Sequence, residues 1–312
     1  MSEKHLIIGA NGPIGKEIYS LLKESDKEVY RFGRSKIDQE DYICGNALNI
    51  NDVLTAVKGK KYIYITIGLK YDHKIWEKQW PIIIDHIITA AKKENSKIIF
   101  FDNVYIYGPQ LAVPITEMHE ISPISKKGKV RRIIHDKLTS VMNELDIMIV
   151  RAPDFFGGDA NSSLIYNAFL ENMIKDKKPL FLGNGTKKHS YGYTKDLARA
   201  TVLLASDSKA YNQVWHLPCY QTNSIYEILD MYNQVLKKDF KLSVIGKKMH
   251  ALLGIFMPML KEVYEMRYQF ETDYVLSFEK FSKKYPGFIQ TTFKDAITET
   301  VLRFKNDLIA SQ

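Results

Sequence analysis

Three glycines, Gly9, Gly12 and Gly15, stand at three-residue spacing where the apolar run Leu6 to Ile8 passes into the amphipathic stretch Ile14 to Lys23. The pattern predicts a strand, an anion-binding turn and a helix. Gly9 makes the tight turn off the strand, Gly12 lets backbone N–H groups reach a pyrophosphate, and Gly15 lets the helix lie close to the sheet. The start of the helix adds unpaired donors and a partial positive charge. The chemistry on offer is dinucleotide binding, with Gly9, Asn11, Gly12, Pro13, Ile14 and Gly15 as cofactor contacts.

A second turn refines that expectation. Chains selective for NAD usually carry an acidic residue at the end of the second strand, where it accepts hydrogen bonds from the ribose 2′-OH and repels a 2′-phosphate. This chain has Gly33 there, followed by Arg34, Ser35 and Lys36, with Arg31 one strand face away. A guanidinium can clamp a phosphate through two parallel hydrogen bonds, and Arg34 is also placed to stack on the adenine. NADP(H) is the expected cofactor, with NAD(H) as the alternative. Asn46, Ala47, Leu48, Thr66, Ile67, Gly68, Asp102 and Pro153 complete the candidate cofactor contacts.

The elements that must position these residues follow from periodicity. Strand-like runs at Leu6 to Ile8, Glu28 to Phe32, Tyr62 to Ile67, Lys97 to Phe101 and Asp146 to Arg151 alternate with helical segments at Ile14 to Lys23, Asn51 to Val57, Trp80 to Glu94 and Lys127 to Leu145. Such alternation predicts an α/β fold, a doubly wound parallel sheet covered by helices on both faces. Beyond Arg151 the expected elements are a helix at Leu164 to Lys175, a strand at Leu180 to Leu182, a helix at Lys195 to Ala205, a strand at Val214 to Leu217 and a helix at Ser224 to Val235. The division expected is a dinucleotide-binding domain over 1–153, completed by about 186–218, and a substrate lobe made mainly of 154–312.

Composition narrows the class. With 312 residues, 45% of them hydrophobic, the chain can bury a full core. Cys44 and Cys219 lie far apart without a CxxC pattern, which points to a reducing compartment, the cytoplasm, and to neither a disulfide framework nor a zinc site. No signal peptide is visible, and the greasy run Met249 to Leu260 is broken by Gly254 and Pro258 and too short to span a bilayer. A net charge of +8 would allow a nucleic-acid partner, but the lysines are scattered and no aromatic-basic motif accompanies them. The expected partner is a small molecule, with neither nucleic acid nor membrane, and the chain a monomer or homodimer.

Four motifs in order resemble the extended or atypical short-chain dehydrogenase/reductase family, with its sugar-nucleotide epimerase and dehydratase branches. They are the Gly9 to Gly15 turn, the stretch Asp102 to Pro109, Arg151 to Gly157, and His189 to Asp196. The resemblance implies a Rossmann-type sheet with a smaller C-terminal lobe, and substrate in the cleft between them. It also implies a proton-transfer set of Ser or Thr, Tyr, and a Lys four residues after the Tyr. Here those positions are Asn103, Lys127 and Arg131, so the usual dyad is missing. An amide can donate to a carbonyl oxygen but shuttles no proton, and a guanidinium stays charged.

Two readings follow. In one, Lys127 and Asn103 orient a carbonyl or anionic substrate, Lys127 serving as acid or base only if its pKa falls by about 3 units from about 10.4. Tyr107 or Tyr71 then stands in as proton donor. In the other, the chain binds a dinucleotide without turnover and acts as a sensor. Asp154 aligns with a family Asn that touches substrate, and His189 and Tyr191 are expected to face the cleft, with no metal site. Lys126, Lys129 and Arg132 read as a solvated helix face, Trp76 and Trp80 as cleft roof or core, and Met249, Met257, Met259 and Met266 as a packed helix.

Overall fold

A computed structural model describes residues 3–109, 112–160, 163 and 169–310. The first half runs β1 (Lys4–Ile8), α1 (Pro13–Glu24), β2 (Glu28–Gly33), β3 (Tyr42–Cys44), α2 (Ile50–Val57), β4 (Tyr62–Ile65), α3 (His73–Glu94), β5 (Lys97–Asn103), α4 (Lys126–Thr139) and β6 (Ile147–Ala152). Alternate side chains explain why these apolar runs become strands. Leu6 and Ile8 enter one core with Trp80 of α3 and Ile134 of α4, while Ile7 enters the opposite core with Ile14 and Ile18 of α1.

The second half runs β7 (Asp154–Phe156), α5 (Glu171–Ile174), β8 (Leu180–Phe181), β9 (Lys188–Tyr193), α6 (Thr194–Ser206), β10 (Gln213–His216), β11 (Tyr220–Ser224), α7 (Ile225–Leu236), β12 (Ser243–Val244), α8 (Lys247–Phe256), α9 (Pro258–Tyr264), α10 (Glu279–Lys284) and α11 (Phe293–Ala310). The seven-stranded sheet has the order β10-β6-β5-β4-β1-β2-β3, and its registered pairs are parallel. Strand order reverses between β1 and β4, so the carboxyl edge at that switch point is where such a fold binds ligand. A three-stranded sheet, β11-β9-β7, and a two-stranded one, β12-β8, belong to the smaller lobe, whose core gathers Phe156, Tyr193, Ile228 and Phe304. Asp196, buried in the first turn of α6, accepts the N–H of Thr291 at 2.8 Å and ties that lobe's C-terminal segment down.

Several boundaries differ from the sequence expectation. α3 begins at His73, not Trp80, because Asp72 caps it by accepting the N–H groups of Lys74 and Ile75, and buried Trp76 and Trp80 carry the helix through Pro81. α4 ends at Thr139, and the residues up to Leu145 form turns. β3 was not expected; its three residues are too few to show a period. Of the helix expected at Leu164 to Lys175, residues 164–168 lie outside the described residues, and α5 is only its last turn. Met266 packs as expected, whereas Met249, Met257 and Met259 are exposed.

The glycine turn divides into packed and open positions. A Cβ on Gly15 would lie 2.5 Å from the Gly9 carbonyl oxygen and 2.7 Å from Ala10 Cα, whereas one on Gly12 would meet nothing nearer than 3.4 Å. Gly15→Val is therefore expected to lower stability by about 3 kcal/mol or to prevent folding. Gly12→Val should leave the urea midpoint almost unchanged, and parallel urea titrations check the contrast.

Candidate active site

Gly9 has φ +95°, and a Cβ there would lie 2.7 Å from the Ile67 backbone nitrogen. No L side chain suits that position. Thr66 holds the turn from the neighbouring strand, its hydroxyl donating to the carbonyls of Ile8 and Gly9 at 3.2 Å each. Gly12 is the N-cap of α1 and Pro13 its first residue, with no side chain capping the helix. The N–H groups beyond Pro13 are thus left for an anion, and the open side of Gly12 leaves room for one. Exposed Asn11 and Gly68 flank this region, with buried Ile14 and half-buried Ile67 beneath. The turn fits a dinucleotide pyrophosphate.

The end of β2 is less uniform. Arg31 is already engaged: Asp41 accepts from it at 2.8 and 3.1 Å, Gln39 accepts a further hydrogen bond, and the Tyr19 ring lies 4.5 Å from its guanidinium carbon. It has little left for a 2′-phosphate. Arg34 and Ser35 are exposed, and Gly33 packs against the Tyr42 hydroxyl, which a Cβ would approach to 2.6 Å. After β3, exposed Asn46 accepts the Leu48 N–H at 3.1 Å, while Ala47 and Leu48 pack on the core.

The corner aligned with the family's proton-transfer set is built differently. Lys127 is wholly buried, and its ammonium has three donors. All three are taken: Glu262 accepts through its carboxylate at 2.5 Å and its backbone carbonyl at 3.1 Å, and Glu265 accepts through its carboxylate. Burial opposes ionisation of Glu262, but hydrogen bonds from Lys127 and His73 outweigh it and hold the carboxyl below its usual range. His73 meets the other oxygen of Glu262 at 2.6 Å, and Lys126 approaches the far side of the imidazole at 3.1 Å. Asp72, His73 and Glu262 could face a metal ion, but lysine ammonium groups already supply the positive charge. Beside them the Tyr71 and Tyr105 hydroxyls are 3.3 Å apart, Asn103 accepts the Tyr105 N–H at 3.1 Å, and burial pushes both phenols up.

Arg131 turns away from this corner into the layer between sheet and helices. Its guanidinium carbon lies 4.6 Å from the Trp76 ring and 4.4 Å from that of Trp80, and its Nε is 3.5 Å from Asp102. Asp102 also accepts from Arg151 at 3.3 Å, and Arg151 donates to the Tyr107 oxygen at 2.8 Å. Tyr107 in turn meets His216 Nε2 at 2.5 Å, and the opposite ring nitrogen meets the Ser277 carbonyl at 2.9 Å. That carbonyl can only accept, so His216 carries its proton on Nδ1 and the Tyr107 hydroxyl donates to Nε2. Tyr107 is fully buried and committed, contrary to a role as proton donor at an open site. Asp102 likewise serves this network. Pro153 is buried; Asp154 pairs with His189 at 3.2 Å; Tyr191, expected at the cleft, is buried against the His189 ring.

The model of the NAD dependent epimerase/dehydratase family matches residues 5–216, more than half of the chain. The chain belongs to that family. An uncharacterized protein of Sinorhizobium fredii is 26% identical over 165 residues, 51% of this chain, which spans only about half (46%) of that relative. A putative UDP-glucose 4-epimerase of Methanocaldococcus jannaschii is 25% identical over 252 residues, 72% of this chain and 80% of that protein. The fold is similar to a crystal structure of dTDP-glucose 4,6-dehydratase from Bacillus anthracis in complex with NAD, with TM-score 0.81, 15% identity, and 98% and 97% of the two chains covered.

This member of the epimerase/dehydratase family thus has an open glycine turn, and ion pairs hold Lys127, the residue that the sequence resemblance set at the proton-transfer position. His73, Glu262 and Glu265 escaped the sequence reading because Glu262 lies 135 residues from Lys127. No local pattern joins them. The buried network carries its own pH signature. Burial, then the charge of Arg151, lowers His216 to about 3 and His135 to about 4, from an ordinary 6.5. Both are neutral when folded and take up protons on unfolding once pH falls below 6.5, so their stabilisation is complete above that value and is lost as pH drops towards 4 and 3. The urea midpoint should be flat above pH 7 and fall steadily from pH 6.5 to 4; a midpoint unchanged down to pH 5 contradicts the assignment.

Proposed function

We propose that this chain is an NADP(H)-dependent oxidoreductase or epimerase/dehydratase-like enzyme acting on a carbonyl or sugar-like small molecule, with nucleotide sugars the first class to test. The observation that carries the reading is the uncapped start of α1 beside the open face of Gly12. Backbone donors of Ile14 and Gly15, the Gly12 N–H being given to the Gly9 carbonyl, would hold the pyrophosphate, Arg34 and Ser35 the 2′-phosphate, Asn46 to Leu48 the adenine, and Thr66 to Gly68 with Pro153 the nicotinamide half. When bound, the nicotinamide supplies hydride transfer. Relatives named for UDP-glucose and dTDP-glucose support the substrate class.

The chain's own part is orientation and proton supply. Asn103 has its oxygen engaged, and its amide N–H groups, without a partner among the described residues, are assigned to a substrate oxygen. Tyr71 and Tyr105, kept protonated by burial, are the donors we assign in place of the missing family Tyr. Asp154 contacts substrate, with His189 holding its carboxylate. The free thiols of Cys44 and Cys219 suit a reducing compartment such as the cytoplasm. A second reading, a non-catalytic NADP(H) sensor, is favoured by the three occupied donors of Lys127.

NADPH is expected to bind at least about tenfold more tightly than NADH, with Arg34→Ala erasing most of the difference. Calorimetry at moderate salt checks this; equal affinities mean that the turn ignores the 2′-phosphate. Two incubations separate the two readings: the NADPH-loaded protein with aldehydes and ketones, and the NADP+-loaded protein with nucleotide sugars. An oxidoreductase consumes NADPH in the first, and an epimerase or dehydratase converts a sugar in the second with no net change in the cofactor, whereas the sensor binds the cofactor and does neither.

A further inference from the structure

The hairpin of α8 and α9 is firmly built on its inner side. His250 is buried, its Nε2 2.9 Å from the Leu260 carbonyl, and Arg267 donates to its Nδ1 at 3.1 Å. Gly254 lets α9 approach so closely that a Cβ would lie 3.3 Å from Lys261 Cα. The carboxylates of Glu262 and Glu265 turn inward to Lys127 and His73.

Its outer side is apolar and basic. Ile255 is 74% exposed, Phe256 76% and Met259 60%, with Met249, Leu252 and Met257 at half or slightly more. Exposure that high means side chains that project beyond their neighbours. Lys247, Lys248 and Lys261 of the same two helices are also exposed, with no carboxylate partner among the described residues. The acidic groups of the hairpin being used inside, its outer charge is positive.

We propose that this hairpin docks on an anionic lipid surface, the projecting Ile255, Phe256 and Met259 entering the interface and the lysines meeting the headgroups. Exposed apolar side chains and lysines on the same short helices are the composition that lies in a bilayer interface. A second copy suits the face less well: an isologous contact would bring two copies of the same positively charged patch together. The sequence reading expected no membrane partner because it found no spanning segment, and no described helix is long and apolar enough to cross a membrane. Interfacial docking needs none.

Co-sedimentation of the full chain with vesicles of phosphatidylcholine mixed with phosphatidylglycerol, against phosphatidylcholine alone, tests the proposal. Binding to the mixed vesicles is expected to exceed binding to the neutral ones by at least about tenfold and to weaken with salt. The double variant Ile255→Ser/Phe256→Ser should abolish it, and Lys247→Glu/Lys248→Glu should weaken it by about tenfold or more. All four positions are exposed, and unchanged NADPH affinity verifies that the variants are folded. Failure to sediment with either vesicle, or sedimentation indifferent to both double variants, overturns the proposal. So does light scattering that shows a dimer made monomeric by Phe256→Ser, which assigns the face to a second copy.

Discussion

The contact on which the rest depends is that of the first turn of α1 with the end of β1. At Gly15 the helix comes so near the Gly9 carbonyl that no side chain fits between them. Its N-terminus is thereby brought to the carboxyl edge of the sheet beside the switch between β1 and β4. Backbone donors that elsewhere would be capped by a Ser or Asp are left for a ligand, and Thr66 fixes the turn that presents them. Anion binding here is a property of backbone placement.

The other half of the site is organised by buried charge. Asp102 lies between two guanidiniums, and the hydrogen bonds from Arg151 through Tyr107 to His216 run on to the Ser277 carbonyl. A buried carboxylate between two cations is retained only when its partners are held in place, so these residues tie β5, β6, α4 and β10 into one unit. Lys127 makes a second tie, to α9, which joins the hairpin to the corner where substrate is expected.

Much of the sheet was legible because its strands are buried on both faces and read as continuous apolar runs. The glycine turn was legible because each glycine answers a local steric demand. What could not be read depends on distant partners. The acidic residues that neutralise Lys127 come from a helix more than a hundred positions on, and the engagement of Arg31 by Asp41 requires the register that sets Arg31 beside Tyr42. The helix expected from Trp80 begins at His73, and only the burial of Trp76 and Trp80 shows why it starts earlier. The commitment of Tyr107 to His216 spans 109 residues and leaves no periodic trace.

The most direct test of the central claim is calorimetric titration of NADPH into the wild-type protein and into Gly12→Val. A Cβ there comes no nearer than 3.4 Å to the protein's own atoms, so the added side chain enters the space we assign to the pyrophosphate. The account predicts saturable binding to the wild type and a loss of at least about a hundredfold in the folded variant. Equal affinity in the two proteins, or no binding to the wild type, would contradict it.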